Sequence, residues 1–186
     1  MTIDNPLQTR KIYRLQDFDY SQNGVYHITI CSYNKSHIFS EVVFCDKNNS
    51  KEVKTRLNVG VGIDRPSIIL SSIGNIINVG IQEIPQRYAD IKVDKYVIMP
   101  NHIHLLIAID GNDVFNKCGR SMPAPTVSDI ICQFKSITCR QAAQPIWQKS
   151  FYDHIVRNDR DYEKIWDYID ANPDKWVDDE YYTAKS

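Results

Sequence analysis

The chain has 186 residues, a formal net charge of −1, and 42% hydrophobic and 24% charged residues, which argues against long disorder, collagen and coiled coil. The near-zero net charge gives no support, taken over the whole chain, for a nucleic-acid-binding protein. The five cysteines are irregularly spaced, and no apolar run approaches the roughly 18 residues of a membrane helix, so we expect a cytoplasmic protein with free thiols and no membrane partner.

The first half of the chain alternates between strand and helix patterns. A strand is predicted over residues 25–33, which are rich in β-branched and aromatic side chains, and a short second strand over residues 41–45. Residues 52–63 form no clear pattern. From Ser71, isoleucines recur at steps of three and four residues, which predicts an amphipathic helix of about four turns with Ser71 or Ser72 as its N-cap and its end near Pro85.

Strand patterns resume in the middle of the chain. Residues 91–99 and 102–109 read as two apolar strands joined by a very short connection, so they should pair antiparallel. A later stretch, residues 145–156, looks extended.

Two further helices complete the predicted elements. One is expected over residues 126–144 and the other over residues 159–171, with Asp159 as its N-cap and Pro173 just beyond its end. The resulting order of strands and helices is typical of a ferredoxin-like α+β sandwich (βαββαβ) with an antiparallel sheet and an extra C-terminal helix.

The clearest candidate site is the sequence Met-Pro-Asn-His-Ile-His-Leu-Leu. Its histidines, His102 and His104, are two positions apart on a predicted strand, so both imidazoles point to one face and could chelate a divalent cation. We expect Ile103, Leu105 and Leu106 to belong to the core and the histidines to face an opposite, polar surface. Because a structural zinc site needs four protein ligands, a further ligand must come from elsewhere. A chance H-x-H at a strand end is the alternative.

The last predicted helix carries the second candidate pair. Tyr168 and Asn172 are four residues apart and therefore share a helix face. A tyrosine hydroxyl, with an ordinary pKa of about 10, is a poor nucleophile near neutral pH unless a metal and nearby donors assist it. The spacing alone also fits a packing tyrosine and a helix-capping asparagine.

Four sequence blocks occur in one order along the chain. They are Pro100-Asn-His-Ile-His104, Phe134-Lys-Ser136, Trp147-Gln-Lys-Ser-Phe-Tyr-Asp-His-Ile-Val-Arg157 and Tyr168-Ile-Asp-Ala-Asn-Pro173. Together they resemble the REP-associated tyrosine transposases, relatives of the small single-strand insertion-sequence transposases of the HUH nuclease class. The resemblance divides the chain into an N-terminal extension (1–23), an HUH transposase domain (24–176) and an acidic tail (177–186).

The resemblance implies a transposase of the bacterial cytoplasm that acts on single-stranded DNA, in hairpin or palindromic form, as a monomer or homodimer. His102, His104 and Asn172 would be ligands of Mg²⁺ or Mn²⁺, and imidazole ligation favours Mn²⁺. Tyr168 would attack a phosphodiester, leaving a 5′-phosphotyrosine and a free 3′-OH. Two alternatives are a domesticated module that binds single-stranded nucleic acid without cutting it, and a replication- or conjugation-type HUH nickase.

A rival nucleophile and several DNA contacts come from the later blocks. Tyr152 lies in an extended segment, where the residue four positions on, Val156, cannot ligate a metal, so Tyr168 is preferred. Any single basic residue is ordinarily just a solvated charge. The candidate DNA contacts are Lys135, Arg140, Lys149, His154 and Arg157.

The charged residues are distributed unevenly along the chain, so the net charge alone does not exclude DNA binding. Residues 115–160 hold seven basic and three acidic residues, whereas residues 161–186 hold eight acidic residues and three lysines. We therefore expect modest, salt-sensitive DNA binding on one face. The acidic end departs from the basic tail that members of the family often carry, and it should be turned away from the site or shield it.

Overall fold

The computed structural model describes residues 23–44, 65–110 and 125–182, and within these ranges the chain forms six strands and three α-helices. In chain order they are β1 (Gly24–Cys31), β2 (Ser40–Val43), β3 (Ser67–Leu70), α1 (Ser72–Arg87), β4 (Ile91–Ile98), β5 (His102–Ile109), α2 (Val127–Gln141), β6 (Tyr152–Val156) and α3 (Asp159–Ala171). No helix in these ranges is long and apolar enough to cross a membrane.

The main sheet has four strands in the order β4-β5-β1-β6, and every neighbouring pair is antiparallel. The central strands β1 and β5 pair over their full lengths, from Gly24 opposite Ile109 to Cys31 opposite His102. With α1 following β1 and α2 following β5, this order confirms the predicted ferredoxin-like α+β sandwich. The extra C-terminal helix is also present, as α3.

The two faces of the sheet carry different helices. Ile103, Leu105 and Ile107 point into the larger core, which contains buried side chains of α1 and α2. Leu106 belongs to a second cluster, with Ile165 and other residues of α3 and the segment after it. Leu106 is a buried core residue, as expected, but strand alternation puts it on the face of the histidines and not on the face of Ile103 and Leu105.

A small ribbon lies beside the main sheet and was predicted only in part. The expected strand over residues 41–45 is found as β2, and it pairs antiparallel with β3, for which the sequence offered no prediction. The unpatterned stretch over residues 52–63 and nearly all of the proposed extension over residues 1–23 lie outside the described residues.

The helix boundaries follow local capping chemistry. Ser71, one of the two predicted candidates, is the N-cap of α1, and its side chain accepts a hydrogen bond from the Gly74 N–H. The N-cap of α3 is Asn158 rather than Asp159, since the Asn158 side chain accepts the Asp161 N–H at 3.0 Å. Either residue type is a good cap, so composition alone does not separate the two positions.

The first turn of α1 gives a test of the packing. A Cβ added at Gly74 would overlap the backbone carbonyl oxygen of Phe39, which no side-chain rotation can relieve. We expect Gly74→Ala to lower the free energy of unfolding by about 1–3 kcal/mol, as measured by urea denaturation. Gly24→Ala is the control because its Cβ would meet nothing nearer than 3.7 Å; equal losses in the two variants would contradict the close approach.

Candidate functional site

The two histidines of the H-x-H motif lie side by side at the start of β5. Their ring centroids are 4.7 Å apart, and alternation along the strand turns both towards α3. Both side chains are buried: His102 is 0% exposed and His104 is 1% exposed. Contrary to expectation, the histidines therefore do not face an open polar surface. Instead, α3 and residues 176–182 cover this face of the sheet.

His102 is held in one orientation by the residue before it. Its Nδ1–H donates to Oδ1 of Asn101 at 2.9 Å, while the Asn101 Nδ2 donates to the Tyr181 carbonyl at 2.7 Å. The lone pair of His102 therefore lies on Nε2, which is buried and has no hydrogen-bond partner in the described part of the chain. A neutral imidazole with a fixed tautomer and a free nitrogen is the form that binds a metal ion.

His104 is oriented from the neighbouring strand β1. Its Nδ1 lies 2.9 Å from Oγ1 of Thr29 and 3.1 Å from Nε2 of His27, and Thr29 is its direct partner in the β1–β5 register. A proton on Nδ1 that is shared with either group leaves Nε2 as the acceptor. That nitrogen faces the hydroxyl of Tyr168 at 3.5 Å.

Burial keeps the imidazoles of the site neutral. It lowers the pKa of His102 to about 3, with a smaller contribution from the Lys35 ammonium. The pKa of His104 is lowered well below its usual value, by burial and then by the neighbouring histidines. Burial likewise lowers the pKa of His27 to about 4. All three rings can offer a lone pair at neutral pH, as metal binding requires.

Tyr168 and Asn172 share the face of α3 that looks onto the histidines. Tyr168 is 40% exposed, and Asn172 keeps helical backbone angles at the C-cap. Burial, together with the charges of Asp179 and Glu180, raises the pKa of Tyr168 to about 12, and the Asn172 side chain partly opposes the shift. The phenol is therefore protonated at neutral pH, and a nearby positive charge would be needed to make its oxygen reactive.

Asn172 contributes a second unsatisfied acceptor. Its Nδ2 donates to Oδ2 of Asp179 at 3.2 Å, whereas its Oδ1 is buried and has no hydrogen-bond partner among the described residues. Leaving a buried polar atom unpaired costs about 1–3 kcal/mol. Two such acceptors in one site, on His102 and Asn172, are what a bound cation would satisfy.

An open cleft of about 740 Å³ leads to the Tyr168 hydroxyl. His27, Thr29, His104 and Asn172 line it, together with the rival tyrosine, Tyr152. The charged side chains along it are mostly acidic: Asp167, Asp178, Asp179 and Glu180, against Lys164 and Lys175. The start of the acidic tail therefore lies along the site instead of turning away from it.

Sequence reasoning missed several residues of this site. Asn101 and Thr29 lie in strand and motif segments that were identified, but their contacts with the histidines come from side-chain orientation and strand register. Asp179 lay in the predicted tail, and no local pattern marked it. In the structure, ligand atoms of Asp179, His102 and His104 all lie within 4.8 Å of one another.

The predicted DNA contacts on α2 do not join this cleft. Lys135 and Arg140 belong to α2, which packs on the sheet face opposite the histidines. The Lys135 ammonium is half-buried and donates to the carbonyls of Gln148 at 2.6 Å and Lys149 at 3.2 Å, so it ties α2 to the chain that follows. Arg140 is exposed.

The other predicted DNA contacts flank β6. The Nε2 of His154 lies 3.0 Å from Oδ2 of Asp161, an internal contact that joins β6 to the first turn of α3. Lys149 and Arg157 are exposed. None of these three is among the side chains that line the cleft, so a DNA-binding role for them stays a prediction.

The chain is similar in sequence to known proteins. Residues 21–172 match the family described as "Transposase IS200 like". The chain is 28% identical over 189 residues to an uncharacterized protein of Haemophilus influenzae, covering 93% of each chain. It is 30% identical over 95 residues to a REP-associated tyrosine transposase of Escherichia coli, covering 50% of this chain and 51% of that protein.

A solved structure shares the fold. It is that of a REP-associated tyrosine transposase bound to a REP hairpin, with a TM-score of 0.54 and 17% identity, and the match covers 82% of this chain and 68% of that one.

The role of Asn101 in orienting the His102 ring can be tested by measuring metal affinity. Asn101→Ala removes the acceptor that fixes the His102 tautomer, so we expect Mn²⁺ affinity, measured by isothermal titration calorimetry, to fall by about 10- to 100-fold. Asn75→Ala is the control because Asn75 is exposed on α1 and bonds only to a local carbonyl. Unchanged Mn²⁺ affinity in Asn101→Ala would contradict the assigned role.

Proposed function

Because the chain belongs to the IS200-like transposase family, we propose that it cuts and rejoins single-stranded hairpin DNA through a covalent bond to Tyr168, with the help of a divalent ion. The observation that carries the proposal is the approach of the Tyr168 hydroxyl to Nε2 of His104, at 3.5 Å, in an open cleft. We further propose that residues 24–176 form the catalytic domain, in keeping with the family match over residues 21–172.

The donor atoms of the site fit a divalent ion. Nε2 of His102 and Oδ1 of Asn172 are buried acceptors that have no hydrogen-bond partner among the described residues, and Nε2 of His104 faces Tyr168. Two neutral imidazoles and one amide oxygen favour Mn²⁺ over Mg²⁺, because Mg²⁺ prefers oxygen ligands. When bound, the ion would polarise the scissile phosphate and stabilise its developing charge.

Tyr168 is the proposed nucleophile. Its phenolic oxygen attacks the phosphorus, the bond from phosphorus to the 3′ oxygen breaks, and the 5′ phosphate stays on the tyrosine. The phenol loses a proton and the departing 3′ oxygen gains one, so the step balances in protons. Rejoining is the reverse attack by a 3′-OH on the phosphotyrosine. The raised pKa of Tyr168, held by burial and by Asp179 and Glu180, is why the phenol needs a cation nearby.

The substrate assignment rests on the family. The related solved structure is bound to a REP hairpin, as its name states; for this chain we propose a hairpin or palindromic single strand, bound by a monomer or homodimer. Of the predicted DNA contacts, the exposed side chains of Arg140, Lys149 and Arg157 are available for backbone phosphates. Tyr152 is 43% exposed in the cleft and offers a ring for base stacking.

Replacing each tyrosine in turn tests the nucleophile. Tyr168→Phe keeps the ring but removes the attacking oxygen, so we expect no covalent protein–DNA adduct with a single-stranded hairpin, as judged by denaturing gel electrophoresis. Tyr152→Phe is the matched control, on a tyrosine that lines the same cleft, and it should retain the adduct. Adduct that survives in Tyr168→Phe and disappears in Tyr152→Phe would reverse the assignment.

Metal removal tests the cofactor. Treatment with EDTA should abolish hairpin cleavage, and added Mn²⁺ should restore it at lower concentration than Mg²⁺, because two of the three ligand atoms are imidazole nitrogens. Cleavage that persists in EDTA would contradict the metal site. Tight hairpin binding with no product in either ion would instead favour the non-cutting module.

A further inference from the structure

We propose that Asp179 is a carboxylate ligand of the same divalent ion, so that the ion joins the sheet to the segment that follows α3. This inference rests on the metal-dependent function proposed above. Its first support is distance, because one carboxylate oxygen of Asp179 and one nitrogen each of His102 and His104 lie within 4.8 Å of one another. Its second support is Nε2 of His102, which is fully buried and has no hydrogen-bond partner within the part of the chain that the structure describes.

The segment that carries Asp179 is packed against the domain. Trp176 is 6% exposed and belongs to the cluster that α3 forms with the sheet, together with Met99 and Leu106. Further along, the Tyr181 carbonyl accepts the Nδ2 hydrogen bond of Asn101, and the Tyr181 ring lies 4.7 Å from the His102 ring. Asp179 is thus held between two anchored residues.

The carboxylate itself is oriented by two donors. The Tyr181 N–H donates to its Oδ1 at 2.7 Å, and Nδ2 of Asn172 donates to its Oδ2 at 3.2 Å. No lysine or arginine of the described residues forms an ion pair with it, in contrast to Asp170, which pairs with Lys95 and Arg65. A half-buried carboxylate beside two neutral imidazoles therefore lacks a counter-ion, which a divalent cation would supply.

The distances are close to those of a coordination shell. Ligand atoms about 2.1 Å from a shared ion lie at most about 4.2 Å apart, so the three atoms, which lie within 4.8 Å of one another, would have to move closer together to contact one ion. A carboxylate also suits the proposed ions, since carboxylate oxygen favours Mg²⁺ and Mn²⁺, whereas imidazole alone suits Zn²⁺ and Cu²⁺ better. Coordination by Asp179 would thus make the site better suited to Mg²⁺ or Mn²⁺ than two histidines alone would be.

Mn²⁺ binding to the full-length protein without DNA tests the assignment, using calorimetry or electron paramagnetic resonance. We expect Asp179→Asn to weaken Mn²⁺ binding by about 10-fold or more, since even supporting residues of a metal site are worth that much. Asp178→Asn is the matched control, because it removes the same charge from the neighbouring, exposed position in the same cleft. Its affinity should stay within about twofold of the parent, as expected for a solvated charge.

A second measurement guards against misfolding. Mn²⁺ should raise the melting temperature of the parent and of Asp178→Asn more than that of Asp179→Asn, each rise being measured from that protein's own melting temperature in EDTA. Parent-like Mn²⁺ affinity in Asp179→Asn, together with loss of binding in His102→Ala, would overturn the role of Asp179 and leave the proposed function standing. A parent protein that binds no Mn²⁺ would overturn both.

Discussion

The antiparallel register between β1 and β5 is the constraint on which the site depends. Because Ile103, Leu105 and Ile107 must face the core under α1 and α2, the residues between them must face α3. A shift of the register by one residue would turn Ile103, Leu105 and Ile107 towards α3 and the histidines into the larger core. The free energy of hydrophobic burial on one side of the sheet therefore fixes the position of His102 and His104 on the other.

Side chains of several separate segments meet at the histidine face. Strand β5 brings the imidazoles, α3 brings Tyr168 and Asn172, and the segment after α3 brings Asp179. In the proposed reaction a DNA phosphate would approach the acidic residues along the cleft, which is electrostatically unfavourable unless a cation lies between them. The net charge of −1 thus conceals an uneven distribution, in which acidic residues outnumber lysines along the cleft.

Much of this arrangement follows from the regular spacing of residues within one strand or one helix, and such spacing can be read from the sequence. A spacing of two in a strand put His102 and His104 on one face, and a spacing of four in a helix did the same for Tyr168 and Asn172. Contacts between distant segments leave no such pattern. The position of Asp179 beside the histidines and the two carbonyl partners of Lys135 arise from how separate elements pack. A four-residue strand such as β3 is too short for its period to be read from the sequence.

The central claim is that sheet alternation builds a metal site beneath the tyrosine helix, and anomalous diffraction from crystals grown with Mn²⁺ tests it most directly. One anomalous peak in contact with Nε2 of both His102 and His104 is the predicted result. A peak that contacts only the acidic side chains of the cleft, with Nε2 of His102 left without a ligand, would contradict it.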